Sequence, residues 1–392
     1  MLNARTLLAV ALLNMSTLQA STKEIDQAAQ QLLDAGAAGI SMALIDSEGI
    51  TWSSTRGYAD IESRRSMSVD TVQNIASISK TVTATSLMLL VEQGKLDLDR
   101  DINSYLPFRV VNAQFPDEVI TTRQLLTHTS AIIDRDDLYF SEVSYHPGAD
   151  NPLPLGKFLQ AYLSPDGEYY ETGNFASYAP GAQRQYSNIG FGLAGDLIEV
   201  LSGSPLNRFS AEQIFKPLGM EATGWMLSKI DPRQLAKLYQ WDGETRQPVG
   251  WYGLATWPDG GLRTSVRDLS RFFAAMMGGG RFQEVQILQE KSLEAMFTPQ
   301  FESGQVLAGV KDEENHRQAL AWSYHGDKTG SILLGHGGGD PGVATAAWFY
   351  PGPDVGAILL VNTSSEEEEF RLAFENLIEV LLNTALRSPN DN

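Results

Sequence analysis

The sequence of 392 residues predicts an α/β fold of the α+β type, in which helices flank an antiparallel sheet and a mainly helical part is inserted. Two observations predict it. Near the amino end, strand-like GISMALID and ITWSSTRGY lie on either side of the turn SEG, after the helical segment TKEIDQAAQQLLDAG. Near the carboxyl end, strand-like VATAAWFY and GAILLVN precede the amphipathic segment FRLAFENLIEVLLNTAL. Both ends are therefore expected to build one sheet.

The middle of the sequence differs from both ends. Helical spacing dominates there, as in TVTATSLMLLVEQG and GFGLAGDLIEVLSG, and long aromatic loops connect these segments. We therefore expect one unit over residues 21–392. Its α/β part covers about 21–76 and 255–392, and its inserted helical part covers about 77–254.

The first twenty residues have the pattern of a secretory signal peptide. Arg5 precedes the apolar run LLAVALLNM, and the small-residue end LQA follows. The run is too short to span a bilayer. The pattern predicts cleavage after Ala20 and a periplasmic or secreted mature chain without a stable membrane span. The sequence has no cysteine, which excludes disulfides and thiolate metal ligands.

The charge balance is acidic, with 29 basic and 48 acidic residues and a net charge of −19. Without Arg5 in the signal segment the balance is 28 − 48 = −20. A chain of this sign is not expected to bind nucleic acid. The run Glu366–Glu369 is interpreted as the solvated first turn of the last helix, capped by Ser364 or Ser365, without a functional role.

Ser77 and Lys80 in SISK form the first candidate catalytic element. Residues three apart share one helix face, so the amine can reach the hydroxyl. A serine becomes nucleophilic when a neighbouring base takes its proton, and a lysine can serve when burial or nearby positive charge lowers its pKa. The motif is weak alone, because a polar helix start with an exposed lysine has the same letters.

Tyr186, Ser187 and Asn188 form the second element, between a Pro-Gly turn and a helical run. A phenol beside a lysine can act as a base or relay a proton to a leaving group. The Asn188 amide can hold both the lysine amine and a substrate carbonyl. The alternative is that Tyr186 packs in the core and Asn188 caps a helix.

An ordered set of motifs resembles the serine β-lactamase and penicillin-binding-protein superfamily, specifically its class C β-lactamase-like branch of esterases and D-peptidases. The motifs NIASISKTVTA, LLTHTS, YSNIGFGLAGDLIEVLSG, IFKPLGM, GGLRTSVRDLSRF and HGGGDPG occur in the family's order over most of residues 40–365. The resemblance implies a β-lactamase-like fold and a small-molecule or peptide substrate, with neither cofactor nor metal. It also implies that Ser77 is acylated and that Lys80 and Tyr186 share the base and acid roles, with Asn188 positioning. Which of Lys80 and Tyr186 is the base stays open.

The run KTGSILLGHGG holds two candidates for the family's third element, which lies on a strand beside the serine. Lys328-Thr329-Gly330 matches its lysine form, but His336-Gly337-Gly338 is the one followed by a glycine-rich turn and a strand ending at a proline. We therefore predict that HGG is the site element, that the amides of Ser77 and Gly339 form the oxyanion hole, and that KTG is a hairpin turn.

The remaining candidates carry less weight. His128 in LLTHTS is interpreted as structural, and TSAIID there departs from the family's TSG, which leaves the contribution of this loop in doubt. The aromatic and acidic stretch 134–180 is either a substrate-shaping rim or an ordinary surface excursion. Three further histidines show no metal-ligand spacing and are expected at the surface: His146, His316 and His325.

The leading hypothesis is a serine hydrolase that cleaves an ester or a D-amino-acid amide through an acyl-enzyme. A histidine in the third element supplies no fixed positive charge for a substrate carboxylate, which makes efficient β-lactam turnover less expected. The first alternative is a DD-carboxypeptidase, penicillin-binding or class C β-lactamase activity. The second is a non-catalytic binding module with the same fold. The acyl group, the leaving group and the oligomeric state stay open.

Overall fold

A computed structural model describes residues 22–301, 318–327 and 330–387. The predicted signal segment 1–20, His316, Lys328 and Thr329 lie outside these residues. The strands are β1 (Gly39–Asp46), β2 (Gly49–Asp60), β3 (Arg65–Ser66), β4 (Gln73–Asn74), β5 (Tyr145–Pro147), β6 (Leu238–Trp241), β7 (Arg246–Val249), β8 (Tyr252–Leu254), β9 (Arg263–Thr264), β10 (Arg281–Phe282), β11 (Val285–Gln286), β12 (Ser323–Gly326), β13 (Ile332–Asp340), β14 (Val343–Tyr350), β15 (Val355–Val361) and β16 (Thr363–Ser365).

The α-helices include the four segments for which the sequence predicted helical spacing, together with shorter helices that it did not predict. They are α1 (22–34), α2 (Ser79–Glu92), α3 (Thr122–Leu126), α4 (Asp136–Tyr139), α5 (Leu155–Leu163), α6 (Asn188–Ser202), α7 (Leu206–Ser210), α8 (Val266–Met277), α9 (Glu290–Phe297) and α10 (Glu368–Arg387). None of the helices in the described ranges is long and apolar enough to cross a membrane.

The central sheet confirms the predicted fold class. Its order is β12-β13-β14-β15-β1-β2-β3, and each neighbouring pair is antiparallel. Ile40 of β1 lies opposite Val361 of β15, so strands from the two ends of the chain are direct neighbours. Helices α1 and α10 cover one face of the sheet, where Ile25 and Leu381 are fully buried. The other face packs on the main core, which includes α2 and α8.

The segment over residues 77–254 holds α2 to α7, and it also holds the short strands β5 to β8. Strands β6 and β7 form a three-stranded sheet with β16, which follows the last long strand of the central sheet. The division into an α/β part and an inserted helical part therefore stays a prediction, because β6 links the middle of the chain to the carboxyl end.

One buried carboxyl group in α6 makes the stability of the native state depend on pH. Asp196 is 5% exposed, and its Oδ2 has no hydrogen-bond partner among the described residues. Burial, with a smaller contribution from the charge of Glu199, raises the pKa of Asp196 to about 7. The ordinary carboxyl value applies in the unfolded chain, so the native state loses stability as pH rises from about 4 to about 7.

Asp196→Asn should therefore increase the free energy of unfolding at pH 8 by about 2 to 4 kcal/mol, at about 1.4 kcal/mol per pKa unit. At pH 4 the two proteins should differ much less, because both carry a neutral side chain there. Urea unfolding at the two pH values measures this. An asparagine variant less stable than the parent at pH 8 would contradict the assignment.

Candidate active site

The candidate nucleophile lies in a tight turn. Ser77 is the middle residue of the 3-10 turn Ala76–Ile78, directly before α2. Ala76 has a φ of 47°, in the left-handed region that is uncommon for alanine, and its amide donates to Asn74 Oδ1 at 2.6 Å. Such strained backbone persists where surrounding contacts hold it, and it clusters at functional sites. The turn thus fixes the position from which Ser77 faces the cleft.

Lys80 lies one turn further along α2 and is fully buried, because almost every residue of this helix is enclosed by the core. Its Nζ is 3.0 Å from Ser77 Oγ, 2.7 Å from Asn188 Oδ1 and 2.8 Å from the Asp259 backbone oxygen. An ammonium has three hydrogen atoms to donate, and these three acceptors match them. The arrangement fixes the amine against the serine, as the SISK spacing predicted.

Tyr186 approaches Ser77 from the other side. Its phenol donates to Ser77 Oγ at 2.8 Å, and the ring lies 4.9 Å from Lys80 Nζ. The ring is stacked on His128, with centroids 4.1 Å apart, and Ser187 N donates to His128 Nδ1 at 3.1 Å. Burial lowers the pKa of His128 well below its ordinary value, so this imidazole is a neutral support at physiological pH. His128 therefore positions the tyrosine, a more specific role than the sequence indicated.

Asp134 holds the start of α6, which carries Asn188. Its carboxylate accepts from Ser187 Oγ at 2.9 Å and from the amides of Asn188 and Ile189 at 2.6 and 2.9 Å. A carboxylate at a helix start satisfies amides that have no partner inside the helix. Asp134 is the last residue of TSAIID, the loop whose contribution was in doubt. Ala131 of the same loop has a φ of 61°, in the region that favours the glycine of TSG.

Strand β13 brings the glycine-rich element to the nucleophile's turn. A side chain at Gly338 would meet the Ile75 backbone oxygen at 2.6 Å and the Ala76 side chain at 3.1 Å, so the close approach requires glycine. Gly339 lines the cleft together with Ser77. Burial and the nearby Lys80 charge lower the pKa of His336 to about 4, which leaves its imidazole neutral near pH 7.

Of the KTG run the structure describes Gly330, and it also describes Asp327 directly before the run and Ser331 directly after it, all between β12 and β13. Gly330 N donates to the Asp327 backbone oxygen at 3.1 Å, and Ser331 N donates to Asp327 Oδ1 at 2.8 Å. Gly330 has a φ of 86°. This geometry supports the choice of HGG over KTG, while the roles of His336 and of the three glycines after it stay predictions.

Two substitutions test whether HGG or KTG is the functional third element. His336→Ala should lower kcat/KM by more than about tenfold, or roughly 1.4 kcal/mol of transition-state binding, because it removes the side chain on the strand beside the serine. Lys328→Ala should change it little. Steady-state kinetics on one activated ester measures both, and the reverse ranking would invert the assignment.

The cleft in front of Ser77 has a volume of about 530 Å³. Tyr139, Phe140 and Tyr145 line one wall, and Phe140 is 63% exposed. All three come from the stretch 134–180, which supports its interpretation as a rim. Tyr145 donates to Asp340 Oδ1 at 2.6 Å, where β13 ends.

Two acids, the buried Asp259 and the half-buried Asp340, also line the cleft. Burial is the first cause that raises the pKa of Asp259 to about 7 and that of Asp340 to about 6. Sequence reasoning missed Asp259, which acts on Lys80 through its backbone oxygen and so has no side-chain signature. Of the other histidines, His325 is exposed, as predicted, and His146 is half-buried.

The fold and the site together define a serine hydrolase in which a lysine and a tyrosine flank the serine. The Beta-lactamase family profile matches residues 25–382, and the chain belongs to that family. It is 26% identical over 304 residues to Penicillin-binding protein 4* of Bacillus subtilis, covering 74% of this chain and 60% of that protein. It is also 29% identical over 206 residues to Esterase EstB of Burkholderia gladioli, covering 51% and 49% of the two chains.

A solved structure of D-amino acid amidase from Ochrobactrum anthropi SV3 has the same fold. The TM-score is 0.70 at 23% sequence identity, over 94% of this chain and 98% of that chain. The match to the Bacillus protein spans less than two thirds of that relative's length, and the match to the esterase about half.

Proposed function

We propose that this chain hydrolyses an ester or a D-amino-acid amide through an acyl-enzyme on Ser77. One observation carries the proposal: Lys80 Nζ and Tyr186 Oη lie 3.0 and 2.8 Å from Ser77 Oγ, at the edge of an open cleft. Nucleophilic catalysis by serine requires a base within hydrogen-bond reach of the hydroxyl, and this site offers two candidates.

The reaction has two halves. Ser77 Oγ attacks the substrate carbonyl carbon while its proton passes to the base, which is Lys80 as the free amine or Tyr186 as the phenolate, and the amides of Ser77 and Gly339 stabilise the oxyanion. The C–O or C–N bond then breaks, and the leaving group takes the proton. Water attacks the acyl-enzyme in the second half and releases the acid, which restores the serine. Asn188 Oδ1 holds the lysine, and its amide nitrogen is the donor for the substrate carbonyl.

The charges around the cleft favour neutral or cationic substrates over carboxylates. The His336 imidazole is uncharged near pH 7, so the third element provides no fixed cation. Arg371 also lines the cleft, but its guanidinium is paired with Glu375 at 2.8 Å and with Glu368 at 3.7 Å. A β-lactam or a peptide ending in D-alanine carries a carboxylate, and the described residues that line the cleft include no unpaired cation for it.

A substrate panel tests the proposal. We expect kcat/KM to be higher for p-nitrophenyl esters and D-amino-acid amides than for a D-Ala-D-Ala peptide or nitrocefin. Peptide turnover without ester turnover would favour the carboxypeptidase alternative. The similarity to a penicillin-binding protein is the observation that supports this alternative. Failure of a fluorophosphonate to label the protein would favour the binding module.

We also propose a periplasmic or secreted location for the mature chain. The proposal rests on the signal-like pattern of residues 1–20, with Arg5 before the apolar run. Amino-terminal sequencing of the protein from the culture fluid or periplasm should begin at Ser21, and an intact Met1 there would contradict cleavage.

A further inference from the structure

The cleft does not end at the catalytic residues. It continues from Ser77 past Gly339 and Pro341, over the β13–β14 turn, to a second group of residues. We call this group the distal end of the cleft. Its members come from β6, from β16, from the link between β16 and α10, and from α10: Gln240, Ser364, Ser365, Glu366 and Phe374.

Backbone and side-chain contacts hold the distal end in place. Ser364 lies opposite Gln240 in the parallel pairing of β16 with β6. Ser364 Oγ accepts from Gly342 N at 2.9 Å, which ties the β13–β14 turn to β16, and Ser365 Oγ donates to the Trp241 backbone oxygen at 3.0 Å. The distal end is therefore fixed relative to the strand that carries Gly339.

The four glutamates of the acidic run are not equivalent. Helix α10 begins at Glu368, and Ser365 Oγ accepts from Glu367 N, so the interpretation of the whole run as a first helical turn is wrong. Glu366 lies before the helix and lines the cleft, whereas the three glutamates that follow it are not among the lining residues.

Glu366 is the unneutralised charge of the distal end. Its carboxylate makes no ion pair with the described residues, while Arg371 in the same wall is paired with two glutamates of α10. The helix dipole gives the amino end of α10 about half a positive charge, and the four carboxylates of Glu366–Glu369 outweigh that charge. Phe374 adds an apolar side chain to the lining of the same cleft.

We propose that the distal end binds a positively charged alkylammonium group on the part of the substrate remote from the scissile carbonyl. This inference rests on the proposed function, because it places a second part of the same substrate in the same cleft. Glu366 supplies the opposite charge, and Phe374 packs against the alkyl carbons. The proposal makes Glu366 a specificity-determining residue.

Matched esters test the proposal. One series has p-nitrophenyl acyl esters of equal length that end in trimethylammonium, in its neutral isostere tert-butyl, or in carboxylate. A second series places the charge on the leaving group, as acetate esters of choline and of 3,3-dimethylbutanol. In at least one series, the cationic ester should have a kcat/KM about two- to fivefold above its neutral isostere, the range for one exposed ion pair, and the preference should shrink at high salt.

Two variants separate the local effect from the overall negative charge. Glu366→Gln should abolish the preference for the cationic ester, whereas Glu367→Gln, which changes the net charge equally, should keep it. Equal ratios for cationic and neutral esters in both series, or a loss shared by Glu367→Gln, would overturn the proposal. Absent turnover of both p-nitrophenyl acetate and a D-amino-acid amide would reject the proposed function, and this inference with it.

Discussion

Ser77→Ala should lower kcat for a p-nitrophenyl ester by at least about four orders of magnitude, since removing the nucleophile leaves binding and the oxyanion donors alone. The loss should be in kcat rather than in stability. Ser77 is only partly buried, and water can replace its hydroxyl as the acceptor for the Lys80 and Tyr186 protons.

The matched control is Ser53→Ala, the same substitution at an exposed position of β2. This variant should keep the parent kcat and KM. Thermal unfolding of both variants confirms that each is folded. Residual activity of Ser77→Ala within tenfold of the parent would show that another group carries the reaction.

Tyr186→Phe should lower kcat/KM by about 10²- to 10⁴-fold, the usual range for a lost general acid or base. The substitution removes one oxygen atom. The ring keeps its stacking on His128 at 4.1 Å and its position 4.9 Å from Lys80 Nζ, so the loss reports the proton-transfer step. A loss below tenfold on every substrate would contradict a catalytic role.

The same variant addresses which group is the base. p-Nitrophenolate leaves without needing a proton, whereas the amine of an amide must be protonated. If Tyr186 acts mainly as the acid, Tyr186→Phe should impair a D-amino-acid amide far more than an ester. If it is the base that activates Ser77, both substrates should lose the same factor. Parallel kcat/KM measurements on the two substrates distinguish these results.

The sheet could be predicted from the sequence because strand periodicity and turn residues are local signals. The hairpin of β1 and β2 and the pair β14 and β15 lie where the alternation and the PGPDV turn indicated. Strand β16 was missed because its partner β6 lies more than 120 residues away in sequence, so that their pairing depends on tertiary contacts.

The candidate site also combines contacts that a local sequence signal indicates with contacts between distant parts of the chain. Ser77 and Lys80 are three residues apart at a helix start, so their spacing indicated that the amine can reach the hydroxyl, and the two atoms are 3.0 Å apart. The supports came from elsewhere in the chain: Asp134 reaches the α6 amides from 54 residues away, and Asp259 offers Lys80 a backbone oxygen from 179 residues away. Asp134 did leave a signal, since it closes the loop in which TSAIID replaces TSG.

Charge patterns were the least informative part of the sequence. The four letters of Glu366–Glu369 are identical, and only the path of the backbone from β16 into α10 separates Glu366, in the cleft wall, from the rest. The same holds for Asp340, whose hydrogen bond from Tyr145 no local pattern indicates.

The most direct test of the account is the mass of the protein after reaction with a fluorophosphonate, followed by peptide mapping. We expect one adduct per chain, located on Ser77, and none on the Ser77→Ala variant. An unmodified protein, or an adduct on another residue that persists in Ser77→Ala, would contradict it.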